Sequence, residues 1–161
     1  MKKLFLLLLL SSSLAIVSQQ KTDFWDNVRF GGGFTLGFGS QTTIGISPSA
    51  VYDFRNGFSL GTGLTYIYSE IGDFTTNVYG GSVISLYQIP NMGVQLSGEF
   101  EHSFAKQTDS FGSFSTNFPA LYLGAAYNNG RFAFGFRYDV LYDKDKSVYA
   151  SPFSPIVRFY F

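Results

Sequence analysis

The chain contains no cysteine, only one histidine and few charged residues. Without cysteine, neither a disulfide framework nor a thiolate metal site can form, and no thiol is present to carry a lipid anchor. Charged residues make up 14% of the sequence, whereas a typical soluble domain has about a quarter. No run of basic residues is present, so the sequence does not indicate a nucleic-acid partner.

Aromatic residues and glycine are abundant instead. Phe, Tyr and Trp together make up 19% of the 161 residues, and glycine contributes 18 of them. A soluble domain of this size would have difficulty burying so many large aromatic side chains. An exported barrel, in contrast, carries such side chains on its outer wall.

The N-terminal segment has the pattern of a secretory signal peptide. Lys2 and Lys3 precede an apolar run at 4–10, which is followed by small and polar residues. A transmembrane anchor is the alternative, but the apolar run is much shorter than the roughly 20 residues that a spanning helix needs. We therefore expect a signal peptide over 1–20 and a barrel domain over 21–161.

Apolar and polar residues alternate along eight segments of the remaining chain, as expected for strands with one apolar face. The segments are 28–39, 43–54, 58–69, 77–88, 93–104, 118–127, 131–142 and 153–161. The facing of 77–88 is ambiguous, because both of its faces carry apolar residues, and we favour the tyrosines outward. Tight turns follow the second, fourth and sixth segments, whereas longer loops are expected at 70–76, 105–116 and 143–151. Outer-membrane barrels show this asymmetry, and the short connection after the first segment is the exception.

The fold class predicted is all-β: an eight-stranded antiparallel up-and-down transmembrane β-barrel that follows an N-terminal signal peptide. In hydrocarbon every backbone polar group must be paired, so the sheet has to close. Glycine and serine dominate the inward positions of the first three strands, while charged side chains lie inward on the later strands. We expect a side-chain-filled polar lumen with a charge network of Glu99, Glu101, Arg137, Asp139 and Arg158. A proton or ion path is the less favoured interpretation.

The closing segment has an aromatic ending, with Phe161, Phe159, Val157 and Phe153 at alternating positions. With this ending, the chain resembles the small eight-stranded outer-membrane barrels, the family of OmpA-type transmembrane domains and OmpX-like proteins. The resemblance implies a Gram-negative outer-membrane location and a monomer in contact with membrane lipid and lipopolysaccharide. It also implies that the barrel-assembly machinery reads the aromatic ending. Pro155 departs from the usual pattern and requires a position where its missing N–H is tolerated.

No catalytic, cofactor or metal site is predicted. His102 is the only obvious general base, and its neighbour Ser103 points to the opposite face of the strand, so the two cannot form a dyad. Asp143 and Asp145 alternate with lysines, which favours a solvated loop over a cation site.

Four aromatic residues in the predicted outer loops, Phe74, Phe111, Phe114 and Tyr149, are candidates for a recognition surface or for strand extensions above the membrane. The expected function is therefore a non-enzymatic structural or loop-mediated interaction role at the cell surface. The alternatives are an accessory subunit of a larger envelope assembly and a rim-located lipid hydrolase or acyltransferase.

Overall fold

The computed structural model describes residues 24–37, 42–109, 112–144 and 151–161, and its strands form one closed antiparallel barrel. Each strand pairs with the next in sequence, and the last pairs with the first, which confirms the all-β, eight-stranded, up-and-down prediction. A short 3-10 turn (Trp25–Asn27) precedes β1. The strands are β1 (Val28–Gly37), β2 (Thr42–Asp53), β3 (Phe58–Ile71), β4 (Phe74–Gln88), β5 (Val94–Asp109), β6 (Gly112–Asn128), β7 (Phe132–Asp139) and β8 (Phe153–Tyr160).

The predicted signal peptide at 1–20 lies outside the described residues, as do Phe111, Tyr149 and Asp145. Within the described ranges, no helix is both long and apolar enough to cross a membrane.

Alternation along each strand separates an apolar outer face from an inner face that lines the lumen, the space enclosed by the barrel. On β4 the outer face carries Tyr79, Val83 and Tyr87, all exposed, while Val78 and Leu86 are buried inside. The preferred facing of segment 77–88 is therefore confirmed.

Three tight turns lie at the end of the barrel where β1 begins and β8 ends, which we call the tight-turn end. The β2–β3 turn combines Arg55 at φ 60° with Gly57 at φ 87°. The β4–β5 turn uses Asn91 at φ 62°, and the β6–β7 turn uses Gly130 at φ 97°. Asparagine and glycine adopt positive φ at little steric cost. Their presence in these connections is why the sequence predicted tight hairpin turns there.

The loops predicted at 70–76 and 105–116 are wrong for the described residues. β3 runs to Ile71 and β4 starts at Phe74, so only Gly72 and Asp73 form the turn. β5 continues to Asp109 and pairs there with Gly112 at the start of β6. Both stretches are rich in threonine and serine. Threonine is β-branched and therefore favours the extended backbone of a strand even where its side chain is exposed to solvent. Strand pairing therefore continues through segments that polarity alone indicated as loops.

These extended strands form a projection that continues beyond the end of the β6–β7 pairing and consists of residues 68–77, 106–109 and 112–116. β6 pairs with β7 only from Tyr122 onward, opposite Asp139. β5 and β6 stay paired to each other above that level, as far as Asp109 and Gly112. The seventh strand, predicted over 131–142, is shorter in the structure, where β7 ends at Asp139.

Apolar layers alternate with polar ones inside the barrel. A lower layer near the tight-turn end contains four buried residues, Val51, Ile84, Leu86 and Tyr160. An upper layer below the projection contains Ile67, Val78, Ala105 and Phe118. Glu99, Glu101, Arg137 and Arg158 of the predicted charge network face the lumen between these layers.

Candidate functional site

Glu99 is the centre of the charge cluster in the lumen. Arg137 Nη1 donates a hydrogen bond of 3.0 Å to Glu99 Oε2, and Arg158 Nη2 donates to Glu99 Oε1. The guanidinium of Arg137 also lies 3.9 Å from the centre of the Tyr122 ring. The three strands β5, β7 and β8 thus place two guanidinium groups on one buried carboxylate, an arrangement that compensates the cost of burial.

Glu101, the next lumen-facing residue of β5, takes hydroxyl partners. Thr65 Oγ1 donates to its Oε2 at 2.9 Å, and Ser103 Oγ donates to its Oε1 at 2.8 Å. Gly80 leaves the space for this arrangement, since a Cβ there would lie 2.6 Å from Ser103 Oγ. One carboxylate oxygen of Glu101 therefore accepts a hydrogen bond from β3, on the far side of β4, and the other accepts one from β5 itself.

Asp139, the fifth residue of the predicted network, binds backbone groups at the end of β7. Its Oδ1 accepts hydrogen bonds from the N–H groups of Leu121 at 3.1 Å and Leu141 at 3.0 Å. The structure therefore brings Glu99, Arg137 and Arg158 together and gives the other two acidic residues different partners.

A second ion pair, absent from the predicted network, lies at the tight-turn end. Arg29 Nη2 is 3.3 Å from Asp53 Oδ2, and the Arg29 guanidinium lies 5.3 Å from the centre of the Tyr160 ring. Strand alternation already places Arg29 and Asp53 inside, so the signal was present in the sequence. The pair borders an open vestibule of about 380 Å³, whose wall also includes Gln88 and Asn128.

A smaller cavity of about 70 Å³ lies in the lumen between the two apolar layers, and we call it the seam cavity. Glu99, Glu101, Arg137 and Arg158 form its charged wall. Small residues line the opposite side, where β1, β2 and β3 contribute Gly32, Gly33, Ser47, Ser49 and Gly63. Phe34, Pro155 and Val157 border the cavity where β1 meets β8.

The seam, which is the contact between β1 and β8, is the shortest pairing in the barrel. Within the described residues only Gly31, Gly32 and Gly33 pair with β8, opposite Tyr160, Phe159 and Arg158. Continuing this register would place Val157 opposite Phe34 and Pro155 opposite Leu36. The other seven pairings each contain at least seven residue pairs.

Pro155 lies on the seam side of β8. Tyr160 N–H bonds Arg131 O towards β7, whereas Phe161 N–H bonds Phe30 O towards β1, so backbone groups alternate between the two neighbours. The odd-numbered residues of β8 therefore direct their N–H groups to β1, and Pro155 has none. This position satisfies the requirement that Pro155 lie where a ladder hydrogen bond is not needed.

The projection places two of the predicted recognition residues on one face. Phe74 pairs with Ile71, and Phe114 pairs with Gln107, which in turn pairs with Thr76. Because side chains alternate along a strand, Phe74 lies on the same face of β4 as the lumen-facing Val78, and Phe114 lies on the same face of β6 as the lumen-facing Phe118. Phe114 is 70% exposed and Phe74 is 46% exposed, and the neighbouring Ile71 is exposed as well.

Tyr68 lies on the opposite, outer face of the projection. Its hydroxyl donates a hydrogen bond of 2.8 Å to Glu70 Oε2. This hydrogen bond raises the pKa of the Tyr68 phenol, because it stabilises the protonated form.

His102 and Ser103 point to different sides of β5, as predicted. The His102 ring packs edge-on against Phe104 on the outer face, with ring centres 4.9 Å apart. Ser103 is buried and donates to Glu101 in the lumen. Among the described residues, no group of three or more His, Asp or Glu side chains is arranged to hold a metal ion.

The aromatic ending lies on the outer face of β8, where Phe153, Val157 and Phe161 are exposed. The Phe159 ring packs against Phe34 of β1, with ring centres 5.3 Å apart.

Comparison of the chain with protein-family models, with curated proteins and with solved structures gives no match. The resemblance to small outer-membrane barrels therefore remains a prediction from the strand pattern and the aromatic ending.

Proposed function

We propose that the chain is a non-enzymatic membrane-spanning barrel of a Gram-negative outer membrane that displays the projection to a protein partner. The observation that carries the proposal is the apolar belt around the closed barrel. Two rows of aromatic side chains bound this belt, with Tyr66, Tyr79 and Phe104 in the upper row and Phe58 and Tyr87 in the lower row. Aromatic girdles at both interfaces are typical of membrane barrels.

The height of the belt suits a bilayer. Tyr79 and Tyr87 lie on the same strand, and their separation corresponds to about 26 Å at about 3.3 Å per residue. A strand tilt of about 40° reduces this to about 20 Å along the membrane normal, near the roughly 25 Å apolar band of such barrels. Val83 and Phe100, which pair with each other between the rows, are both exposed.

The inside and outside of the barrel differ in the sense expected for a membrane protein. Glu99, Glu101 and Arg158 are buried inside, whereas large apolar side chains cover the outer face. A soluble barrel would have the reverse distribution, because exposed apolar patches of this extent are rare on soluble monomers.

The projection supports the interaction role. Its strands are hydrogen-bonded to one another, so Phe74 and Phe114 are held on a rigid sheet rather than on loops. Exposed aromatic side chains that are already ordered lose little conformational entropy on binding, and they are common anchors of protein interfaces. A protein partner with an apolar surface would cover Phe114, Phe74 and Ile71 together.

Membrane insertion is tested with the purified chain refolded into phospholipid vesicles. We expect the protein to float with the vesicles after a high-salt and urea wash and to migrate differently on gels before and after boiling. Protein that stays in the soluble fraction, folded and with the same strand content, would refute the membrane location.

The interaction role is tested by photo-crosslinking in cells. A photoreactive phenylalanine analogue is placed at Phe114 or, as the matched control, at Ser115, whose side chain lies on the other face of β6. We expect a discrete crosslinked protein from the position-114 variant and little from the control. A stoichiometric partner that co-purifies in mild detergent would instead favour an accessory subunit of an envelope assembly, and absence of any crosslink at position 114 would contradict partner binding.

A further inference from the structure

We propose that a notch on the outer face of the barrel binds the phosphate of a membrane lipid, with Lys106 as its charged contact. This inference rests on the membrane location proposed above. It adds a ligand site at the root of the projection, on the face opposite to the apolar residues of its lumen side.

The notch is an open depression of about 290 Å³ on the outside of β4, β5 and β6. Its outward-facing side chains are Tyr79, Phe104, Lys106, Ser115 and Asn117. Tyr79 pairs with Phe104 and Phe104 pairs with Asn117, so these three residues form one row across the sheet. Lys106 pairs with Ser115 in the next row towards the tip of the projection. The notch therefore lies where the upper aromatic row of the belt meets the projection.

Lys106 brings an uncompensated positive charge to the notch. Its side chain is exposed and lies on the same face of β5 as the exposed Phe104. No carboxylate is among the described side chains that line the notch, and no ion pair between described residues includes Lys106. Glu70 on the same face lies two strands away and accepts a hydrogen bond from Tyr68. An anion in the notch would therefore meet an ammonium group without a competing carboxylate.

The height of Lys106 on the barrel suits a lipid head group. Lys106 follows Phe104, a member of the upper row, by two residues on β5. At about 3.4 Å per residue and a strand tilt of about 40°, it lies about 5 Å further along the membrane normal. The head-group layer on each side of the hydrocarbon is about 5–7 Å thick. Lys106 is therefore at the depth of the lipid phosphates, and lysine binds phosphate as a point charge.

The other side chains of the notch suit the remainder of a lipid. Tyr79 and Phe104 are 55% and 57% exposed on the outside of the barrel, where the upper ends of acyl chains would cover them. The Asn117 amide and the Ser115 hydroxyl can donate hydrogen bonds to phosphate oxygens. A dissolved phosphate ion would use only the polar half of the notch, whereas a lipid phosphate uses both halves. The site is therefore assigned to a lipid.

The experiment measures the binding of radiolabelled lipid to the full, detergent-solubilised barrel after affinity capture, with a capture lacking the barrel as background. The two probes are dimyristoyl phosphatidic acid and dimyristoylglycerol, which have the same acyl chains and differ in the phosphate. We expect one phosphatidic acid per barrel and at least about tenfold weaker binding of dimyristoylglycerol, a difference of about 1.4 kcal/mol. Inorganic phosphate should displace no more lipid than chloride at the same ionic strength. Equal binding of the two lipids, or specific displacement by inorganic phosphate, would overturn the proposal.

Matched substitutions test whether the phosphate binds at Lys106. Lys106→Gln should reduce the affinity for phosphatidic acid about tenfold, and Lys106→Arg should retain it, because only the first change removes the charge. Lys144→Gln removes an exposed lysine that does not line the notch and should leave the affinity unchanged. Unchanged affinity in Lys106→Gln, or equal losses at the two lysines, would refute the site.

Asn117→Trp fills the notch without removing the charge. Because tryptophan is favoured at a membrane interface, this variant should still float with vesicles, while its affinity for phosphatidic acid should fall at least about fivefold. Wild-type affinity in this variant would contradict the role of the notch. Vesicle flotation of the wild type separates the two proposals: a barrel that floats but does not distinguish the two lipids refutes the lipid site alone, whereas a barrel that does not float refutes the membrane location.

Discussion

Glu99 and Arg137 form a hydrogen-bonded ion pair of 3.0 Å that joins β5 to β7 across the lumen. Arg158 adds a second guanidinium to the same carboxylate, so the closing strand β8 is attached to β5 through this residue. The stability of the barrel should depend strongly on this one acidic side chain.

Glu99→Gln should reduce the free energy of unfolding by about 3–5 kcal/mol, because two buried guanidinium groups lose their counter-charge. The measurement is denaturant unfolding in phospholipid vesicles, monitored by the shift in gel mobility. Asp53→Asn is the matched control, since its pair with Arg29 is partly exposed at 32% and 28%, and it should cost about 1 kcal/mol or less. Equal losses for the two variants would contradict the special role of Glu99.

Val83→Arg tests the membrane belt, because Val83 lies midway between the two aromatic rows of β4. In a bilayer this change should cost about 2–4 kcal/mol, as expected for arginine near the midplane. Ser115→Arg on the outer face of the projection should change stability by less than about 0.5 kcal/mol. If Val83→Arg were equally harmless in vesicles, the exposed belt would not be in contact with lipid.

Gly80→Val and Gly81→Val compare the effect of a larger side chain on the lumen face of β4 with its effect on the outer face. A Cβ at Gly80 would lie 2.6 Å from Ser103 Oγ, whereas nothing lies within 4 Å of a Cβ at Gly81. Overpacking at Gly80 should cost about 1–3 kcal/mol in unfolding free energy. The Gly81 variant should retain wild-type stability in the same assay, and a loss at Gly81 equal to that at Gly80 would show that the strand, rather than the lumen, requires glycine.

Planar-bilayer recordings should show no stable, large, ohmic conductance steps from the wild-type barrel. The lower layer with Leu86 and the upper layer with Phe118 each place apolar side chains in the lumen, and the space left beside the charge cluster between them is only about 70 Å³. Reproducible open-channel steps would show that the lumen contains a continuous water path.

Strand alternation predicted the fold and the residues that face the lumen, but it could not predict their partners. The alternation of side chains along a strand places four charged residues inside: Glu99, Glu101, Arg137 and Arg158. Alternation does not show, however, how far each strand is shifted along its neighbour. Which carboxylate meets which arginine depends on the stagger between strands, and the three-residue seam register sets that stagger for β8. Glu101 therefore bonds to Thr65, a partner that the sequence did not indicate.

The loop bounds 70–76 and 105–116 were wrong because polar composition was interpreted as loop, whereas the alternative of strand extensions is confirmed for Phe74 and Phe114. Thr75, Thr76 and Thr108 are β-branched residues that favour a strand, and Gly72 with Asp73 is a two-residue turn signal. A strand that leaves the membrane loses its apolar face but keeps its hydrogen bonds to neighbouring strands. Hydrophobic alternation therefore fades at this level while pairing continues.

The short seam also has a consequence for how fast the barrel forms. Hairpins with tight turns bring consecutive strands together locally, whereas Gly31 and Tyr160 are about 130 positions apart, and closing so long a loop costs about 3 kcal/mol more than closing a four-residue one. We therefore expect the pairing of β1 with β8, the least local pairing in the barrel, to be the slow step of folding. Until it occurs, the sheet has two open edges that can pair with another chain, so the rate of aggregation during refolding should depend on Gly31, Gly32 and Gly33.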